Sequence, residues 1–304
     1  MRTLRTAACL ALGLANAAAA QTVFEDSRRV ALDSPEGWAM SYVTASTLMT
    51  GFGGHPDLGP WQWAVSAELA SIPHLSQAQR QVGFGGAKSE DLNKSPVFGR
   101  GRGWLGLPGG WVAELGYTPE LEIGGAGPSD LFSLAVGRKL YAFGNWQWYG
   151  RAYIQRGRAG GDITCPASLA GNQDPQANPF GCAEPSSDTI DMHYHGLELL
   201  NGWRPNGSST RYSLGVGFAQ LQPKVQVDAP LFFDARDRSR LVSDGNLRYF
   251  SLGMDRALNH RLDFAAELLY VPLSVTRSRM SSRENDPYWS LRLQLRWRGS
   301  DRGQ

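Results

Sequence analysis

The chain has 304 residues, 42% of them hydrophobic and 19% charged, with 36 Gly, 10 Trp, 10 Tyr and 12 Phe. That aromatic content excludes a disordered chain, and glycine without a three-residue period excludes a collagen. The 30 Lys and Arg stand against 28 Asp and Glu, so there is no global basic field to gather nucleic acid.

The first twenty residues, MRTLRTAACLALGLANAAAA, have the form of a secretory leader. Arg2 and Arg5 give the positive start, Ala7 to Leu14 the apolar core, and Ala18 to Ala20 a small-residue cleavage site. Beyond it no run of apolar residues is long enough for a membrane helix, and the mean hydropathy is -0.32. Residues 21–37 alternate poorly and are expected as a first strand or a plug. Weak period-two alternation over 38–50 predicts a strand. In WQWAVSAELAS, Trp61, Trp63, Val65, Ala67 and Leu69 share one face, and Glu68 lies on the other. Alternation continues at 96–107, 111–122 and 130–141, where the second face carries Arg100, Arg102, Glu114 and Lys139. In NWQWYGRAYIQ, Trp146, Trp148, Ala152 and Ile154 oppose Gln147, Tyr149, Arg151 and Tyr153. A strand has period two, so each such stretch has one apolar and one polar face.

Cys165 and Cys182 follow, within a polar stretch rich in turn formers. Export permits a disulfide, and closing 16 intervening residues is worth about 3 kcal/mol in the chain-entropy model. The next stretch, 189–203, holds Asp191, His193 and His195 at one phase. A bulge at Gly196 would keep them in the lumen and return Leu197 and Leu199 to the outside. Two His at i and i+2 could ligate a metal, but a polar lumen wall is the expectation, with no metal and no cofactor. Three further strands carry Arg211 opposite Tyr212, alternation over 244–256, and Asp263 and Glu267 opposite Leu262, Phe264 and Leu268. The last strand is the clearest: Trp289, Leu291, Leu293, Leu295 and Trp297 alternate with Ser290, Arg292, Gln294 and Arg296.

The connections alternate in length. Short ones fall at Pro108–Gly110, Phe143–Asn145, Asn206–Ser208 and Leu258–His260; long polar ones fall near 73–95, 165–188, 227–243 and 277–287. Tight turns at one end and long loops at the other suit a transmembrane, antiparallel up-and-down β-barrel, whose short turns face the periplasm. A secreted β-sandwich could show the same alternation. The barrel is favoured by charges beside Gly and Ala on the polar face and by Trp at strand ends, where Trp61, Trp63, Trp146, Trp148, Trp289 and Trp297 would form aromatic girdles. Eleven alternating stretches plus one upstream give an expectation of twelve strands, with ten as the fallback, over a barrel at 38–298 and a tail at 299–304.

The leader, the alternating strands and the terminal WSLRLQLRW resemble Gram-negative outer-membrane β-barrel proteins. The stretch NKSPVFGRGRGWLGLPGGWVAELGYTP resembles a segment of uncharacterised exported barrel proteins of proteobacteria. That resemblance implies outer-membrane lipid as surroundings and the barrel-assembly machinery as partner, with the terminal aromatic strand as the recognised signal. The run Gly99-Arg100-Gly101-Arg102-Gly103 lacks the Lys-Ser/Thr ending of a phosphate loop, and no G-x-S-x-G elbow is present, so an enzyme is not expected. The expected function is passive movement of a small solute or hydrophobic compound, with a non-transporting structural or adhesive barrel as the alternative and a hydrolase behind both.

Overall fold

The computed structural model describes residues 22–52, 56–277 and 282–299. The expected leader and the tail from 300 on lie outside these residues. Among the described residues, ten strands close into one antiparallel barrel: β1 (Trp63–Ser71), β2 (Val97–Leu107), β3 (Trp111–Thr118), β4 (Ala126–Phe143), β5 (Trp146–Gly161), β6 (Tyr194–Trp203), β7 (Thr210–Leu221), β8 (Gly245–Ala257), β9 (Leu262–Val271) and β10 (Tyr288–Arg298). Each strand pairs with the next, and β10 returns to β1 through seven register pairs from Arg292↔Ala70 to Arg298↔Ala64. Closure leaves no open edge, which is the condition for a sheet to sit in lipid.

Strict alternation sets the two faces. On β10, Trp289, Leu291, Leu293, Leu295 and Trp297 are exposed on the outside, while Arg292, Gln294 and Arg296 are buried inside. All six tryptophans expected in girdles are on the outer side. At the short-turn end Trp63 meets Trp297 edge-on at 5.2 Å and Trp146 meets Trp203 at 6.0 Å. At the long-loop end Tyr270 meets Trp289 at 4.4 Å and Tyr117 meets Phe132 at 4.9 Å. An apolar belt between two aromatic rings is the outer surface of a bilayer-spanning barrel.

Ten strands replace the expected twelve because residues 38–50 are not a strand, and the barrel starts at Trp63 rather than at 38. Residues Pro35–Ser46 form a helix, α1, that lies inside the barrel and is buried along nearly its whole length. Its start is written in SPEG. Ser34 Oγ accepts from the Gly37 amide at 3.1 Å, Pro35 occupies the first turn, and Glu36 adds negative charge there. A helix buried on every side has no polar face, so its periodicity is hidden. Its hydroxyls bond back along the helix, Ser41 to Gly37 O at 2.8 Å and Thr44 to Met40 O at 2.7 Å. That consumes polar groups that would otherwise be orphaned inside the barrel.

Around α1 the lumen is apolar: Trp38, Tyr42, Ala45, Leu48 and Met49 pack against Tyr153, Tyr194, Leu247, Tyr249, Leu269 and Tyr288. Beyond the membrane belt, short strands from the long loops form a cap. Asp188–Asp191 extends from β5, Lys224–Gln226 pairs with it, Arg240–Val242 follows, and Ser27–Arg29 adds in parallel. Cys165 and Cys182 are bridged in this cap, with Cα atoms 5.6 Å apart.

Candidate functional site

Two features could carry function: the charged lumen around residues 47–52, and an apolar cavity above it in the cap. The first is built by strand parity. Glu68, Arg100, Arg102, Glu114, Arg151, Arg211, Asp263, Glu267, Arg292 and Arg296 all face inward and are buried, and Lys139 faces the short-turn mouth, half-exposed. Gly99, Gly101 and Gly103 are the outward partners of the β2 arginines.

The middle of the lumen holds four arginines and four glutamates. Arg102 meets Glu68 at 2.9 Å and Glu114 at 3.3 Å, and Arg151 meets Glu114 at 2.8 Å and Glu198 at 2.7 Å. Arg292 lies 3.9 Å from both Glu68 and Glu267. These charges do not border open water. Between them runs the chain that leaves α1, and the arginines donate to its carbonyls in order. Arg100 reaches Thr47 O; Arg292 reaches Leu48 O at 2.6 Å, Arg151 reaches Met49 O at 2.8 Å and Arg102 reaches Thr50 O at 2.7 Å. The glutamates take the same segment's donors, Thr50 Oγ1 to Glu267 at 2.6 Å and the Gly51 amide to Glu198 at 2.8 Å. An extended chain carries unpaired backbone groups at every residue, and this charge ring satisfies them where no strand could. Gly51 has no room for a side chain, since a Cβ there would come within 2.2 Å of Leu200 Cδ1.

At the short-turn mouth the segment is tied again. Asp57 meets Lys139 at 3.2 Å, the Tyr149 hydroxyl at 3.0 Å and Arg211 at 3.5 Å, while Arg298 holds Asp263 at 2.7 Å.

The histidine group is placed differently from the expectation. The β5–β6 register runs unbroken from Tyr194↔Gln155 to Trp203↔Trp146, so there is no bulge at Gly196. Met192 and Tyr194 are buried inward; His193 and His195 share the outward phase with Leu197 and Leu199, and Asp191 sits with them. The reason is α1. Where a helix fills the lumen, the inner wall needs packing rather than charge, and Tyr194 supplies packing and hydrogen bonds. Its hydroxyl donates toward Thr47 O and Gln155 at 2.8 Å each and accepts from the Met49 amide at 2.9 Å. Gln155 faces the lumen as expected, and Glu198 does so without the bulge; Asp255 and Arg298 are lumen groups beyond the expected set, and strand parity is the signal that finds them.

The second feature is a cavity of about 90 Å³ on the outer end of α1. Ala39, Met40 and Val43 of the helix form its floor. Val82 and Leu92 line one side, Ile163 and Ile190 the next, and Val225, Val227 and Leu241 the back. Three carboxylates approach it, and each is engaged by protein. Glu36 accepts from Arg28 at 2.9 Å and from the Gly85 amide at 2.6 Å. Glu90 holds Lys88 at 2.9 Å, and Asp188 accepts from the Ile163 amide at 3.1 Å and from Ser186 at 2.8 Å. Glu90 lies in the cap, and burial pushes its carboxyl up to about 7 despite the Lys88 ammonium.

No family model and no curated protein matches the chain. Solved structures similar to it include Neisserial surface protein A (10% identity, TM-score 0.29, covering 77% of this chain and 96% of that one). Another is the toluene transporter TodX of Pseudomonas putida (10% identity, TM-score 0.33, 88% and 92%). A third is the outer membrane protein OprG of Pseudomonas aeruginosa (11% identity, TM-score 0.29, 79% and 96%).

Proposed function

We propose that the chain is an outer-membrane barrel that admits a small apolar compound, taken up from outside in the cap cavity and passed inward when the lumen segment yields. On this reading the leader is removed near Ala20, the short turns face the periplasm and the disulfide-bridged cap faces the exterior. The observation that carries it is the position of the cavity. Its floor is α1, and α1 runs directly into the segment that closes the lumen, so an occupant touches the element that must move. Surrounding oxygens are already engaged, so a polar guest would surrender its hydrogen bonds to water and find few in return. Size sets a second limit. An apolar cavity of about 150 Å³ holds benzene, so one of about 90 Å³ suits a short alkyl chain, and a single ring enters only as the helix beneath it gives way.

Saturable binding tests the reading. Purified protein in detergent should take up benzene at about one molecule per chain, and Val225→Phe, which fills the cavity, should weaken binding at least tenfold. Identical, non-saturable partitioning into both proteins would contradict it.

The plugged lumen favours a second reading, a structural or adhesive barrel working through its loops. Arg102, Arg151 and Arg292 are paired with glutamates and Arg100 is bonded to the Thr47 carbonyl, which a barrel with no traffic would also require. A barrel of that kind would bind no apolar guest in its cap.

A further inference from the structure

The outer wall is not uniform around its circumference. At the long-loop ends of β9, β10, β1, β2 and β3 the outward residues are uncharged, among them Tyr270, Trp289, Leu69, Val97 and Tyr117. On the opposite side, along β5, the residues leading into β6, the strand Lys224–Gln226 and β8, they are basic. Arg156, Arg158 and Arg248 are exposed on the outward phase, with Lys224 half-buried beside them. Their inward neighbours Gln155 and Tyr249 are buried in the lumen, which fixes the direction in which the arginines point.

Register draws three of these cations together. Arg156 sits opposite Phe132, a member of the long-loop girdle; Arg158 and Lys224 both sit opposite Asp191; Arg248 pairs with Phe218. His193 shares the outward phase with Asp191, two residues before it, and so borders the group. His195 extends it toward Ile154. Arg156, Arg158 and Lys224 thus flank Asp191, with the exposed Asp130 in the irregular stretch of β4 opposite the two arginines, while Arg248 stands apart, two strands beyond β6. No side-chain hydrogen bond or ion pair ties Arg156, Arg158, Lys224 or Arg248 to another described residue, whereas the lumen arginines are all engaged.

Free cations on the lipid side of a barrel are costly at mid-membrane and tolerated at its interface. There they stand level with lipid headgroups, where a basic cluster attracts anionic lipid. Arg156 and Arg158, two apart on one face, present paired guanidinium forks, a geometry suited to the oxygens of a phosphate. We propose that this patch binds the phosphate groups of a phosphorylated lipid in the outer leaflet, on one side of the barrel only. The proposal rests on the outer-membrane placement of the barrel and is independent of the apolar cavity.

The test uses the full chain reconstituted in bilayer discs of zwitterionic lipid doped with a bis-phosphorylated lipid A, followed by native mass spectrometry of what stays bound. Wild type should retain the phosphorylated lipid. The variant R156Q/R158Q/K224Q should retain it at least tenfold less, and lipid A stripped of phosphate should be lost from wild type to the same degree. R156K/R158K, which keeps charge but not the forks, should fall between. Unchanged heat-modifiable migration and unchanged benzene binding establish that the variants are folded, so failure here is distinct from failure of the cavity reading. Equal retention by wild type and the triple variant, or equal retention of the dephosphorylated lipid, would overturn the proposal.

Discussion

Arg151 shows how each lumen residue is held. Its guanidinium joins Glu114, Glu198 and the Met49 carbonyl, so it links two strands to the segment between them. Arg151→Ala would leave buried Glu198 without its cation and Glu114 with Arg102 alone, a loss on the order of 3–5 kcal/mol. It should appear as a lowered denaturant midpoint for the barrel in detergent. Glu90 gives a pH-dependent counterpart. Its folded carboxyl titrates at about 7 against the ordinary 4.5, so the native cap holds that proton more tightly than the unfolded chain does. The resulting stability is fully present below about 4.5 and is lost as pH rises through about 7. Exchange of the amides at 81–90, corrected for intrinsic rate, should therefore accelerate across that window in wild type and stay flat in Glu90→Gln. Lumen residues such as Glu68, Arg102 and Arg292 were legible because period two assigns a face from sequence alone. His193 and His195 were misplaced because polar-inside holds only where the lumen is wet or charged. Opposite α1 the inner wall must pack, and Tyr194 takes the place expected for histidine.

At the scale of elements, the decisive one is α1 with residues 47–52. The helix was hidden from pattern reading because burial on all sides erases its polar face, although Ser34, Pro35 and Glu36 mark its start. The expectation of a strand or plug for 21–37 could not settle where the chain entered the barrel, since local alternation says nothing of what a lumen contains. Gly51 offers a way to disturb the segment alone. Gly51→Val forces a side chain onto Leu200 and should push the segment off its carbonyl anchors. In planar bilayers wild type should show no steady conductance and Gly51→Val should conduct. The Cys165–Cys182 bridge belongs to a different element, the cap loop between β5 and β6. Replacing both cysteines by serine should expose 166–181 to protease while leaving the barrel's unfolding midpoint unchanged. The bridged loop packs Val227 and Ala229 of the cap, and no barrel strand contributes to that cluster.

As a whole, the molecule is an apolar belt closed around a charged ring, with a helix threaded through it and an apolar cavity on top. Barrel class, girdles and the alternation of short and long connections followed from periodicity and turn residues. Strand number did not, since the weakly alternating stretch 38–50 holds a helix, and the upstream strand rested on an even total and on the direction that the short turns gave that stretch. On the proposed function, an apolar occupant of the cap loosens the segment that closes the lumen. Met49→Cys places a thiol in that segment, where Met49 is fully buried, and both described native cysteines are bridged and so do not react. Its labelling by a charged maleimide should be slow in the empty protein and at least tenfold faster at saturating benzene. Equal labelling rates with and without benzene, in protein shown to be saturated, would mean that the cap cavity and the lumen segment are not coupled.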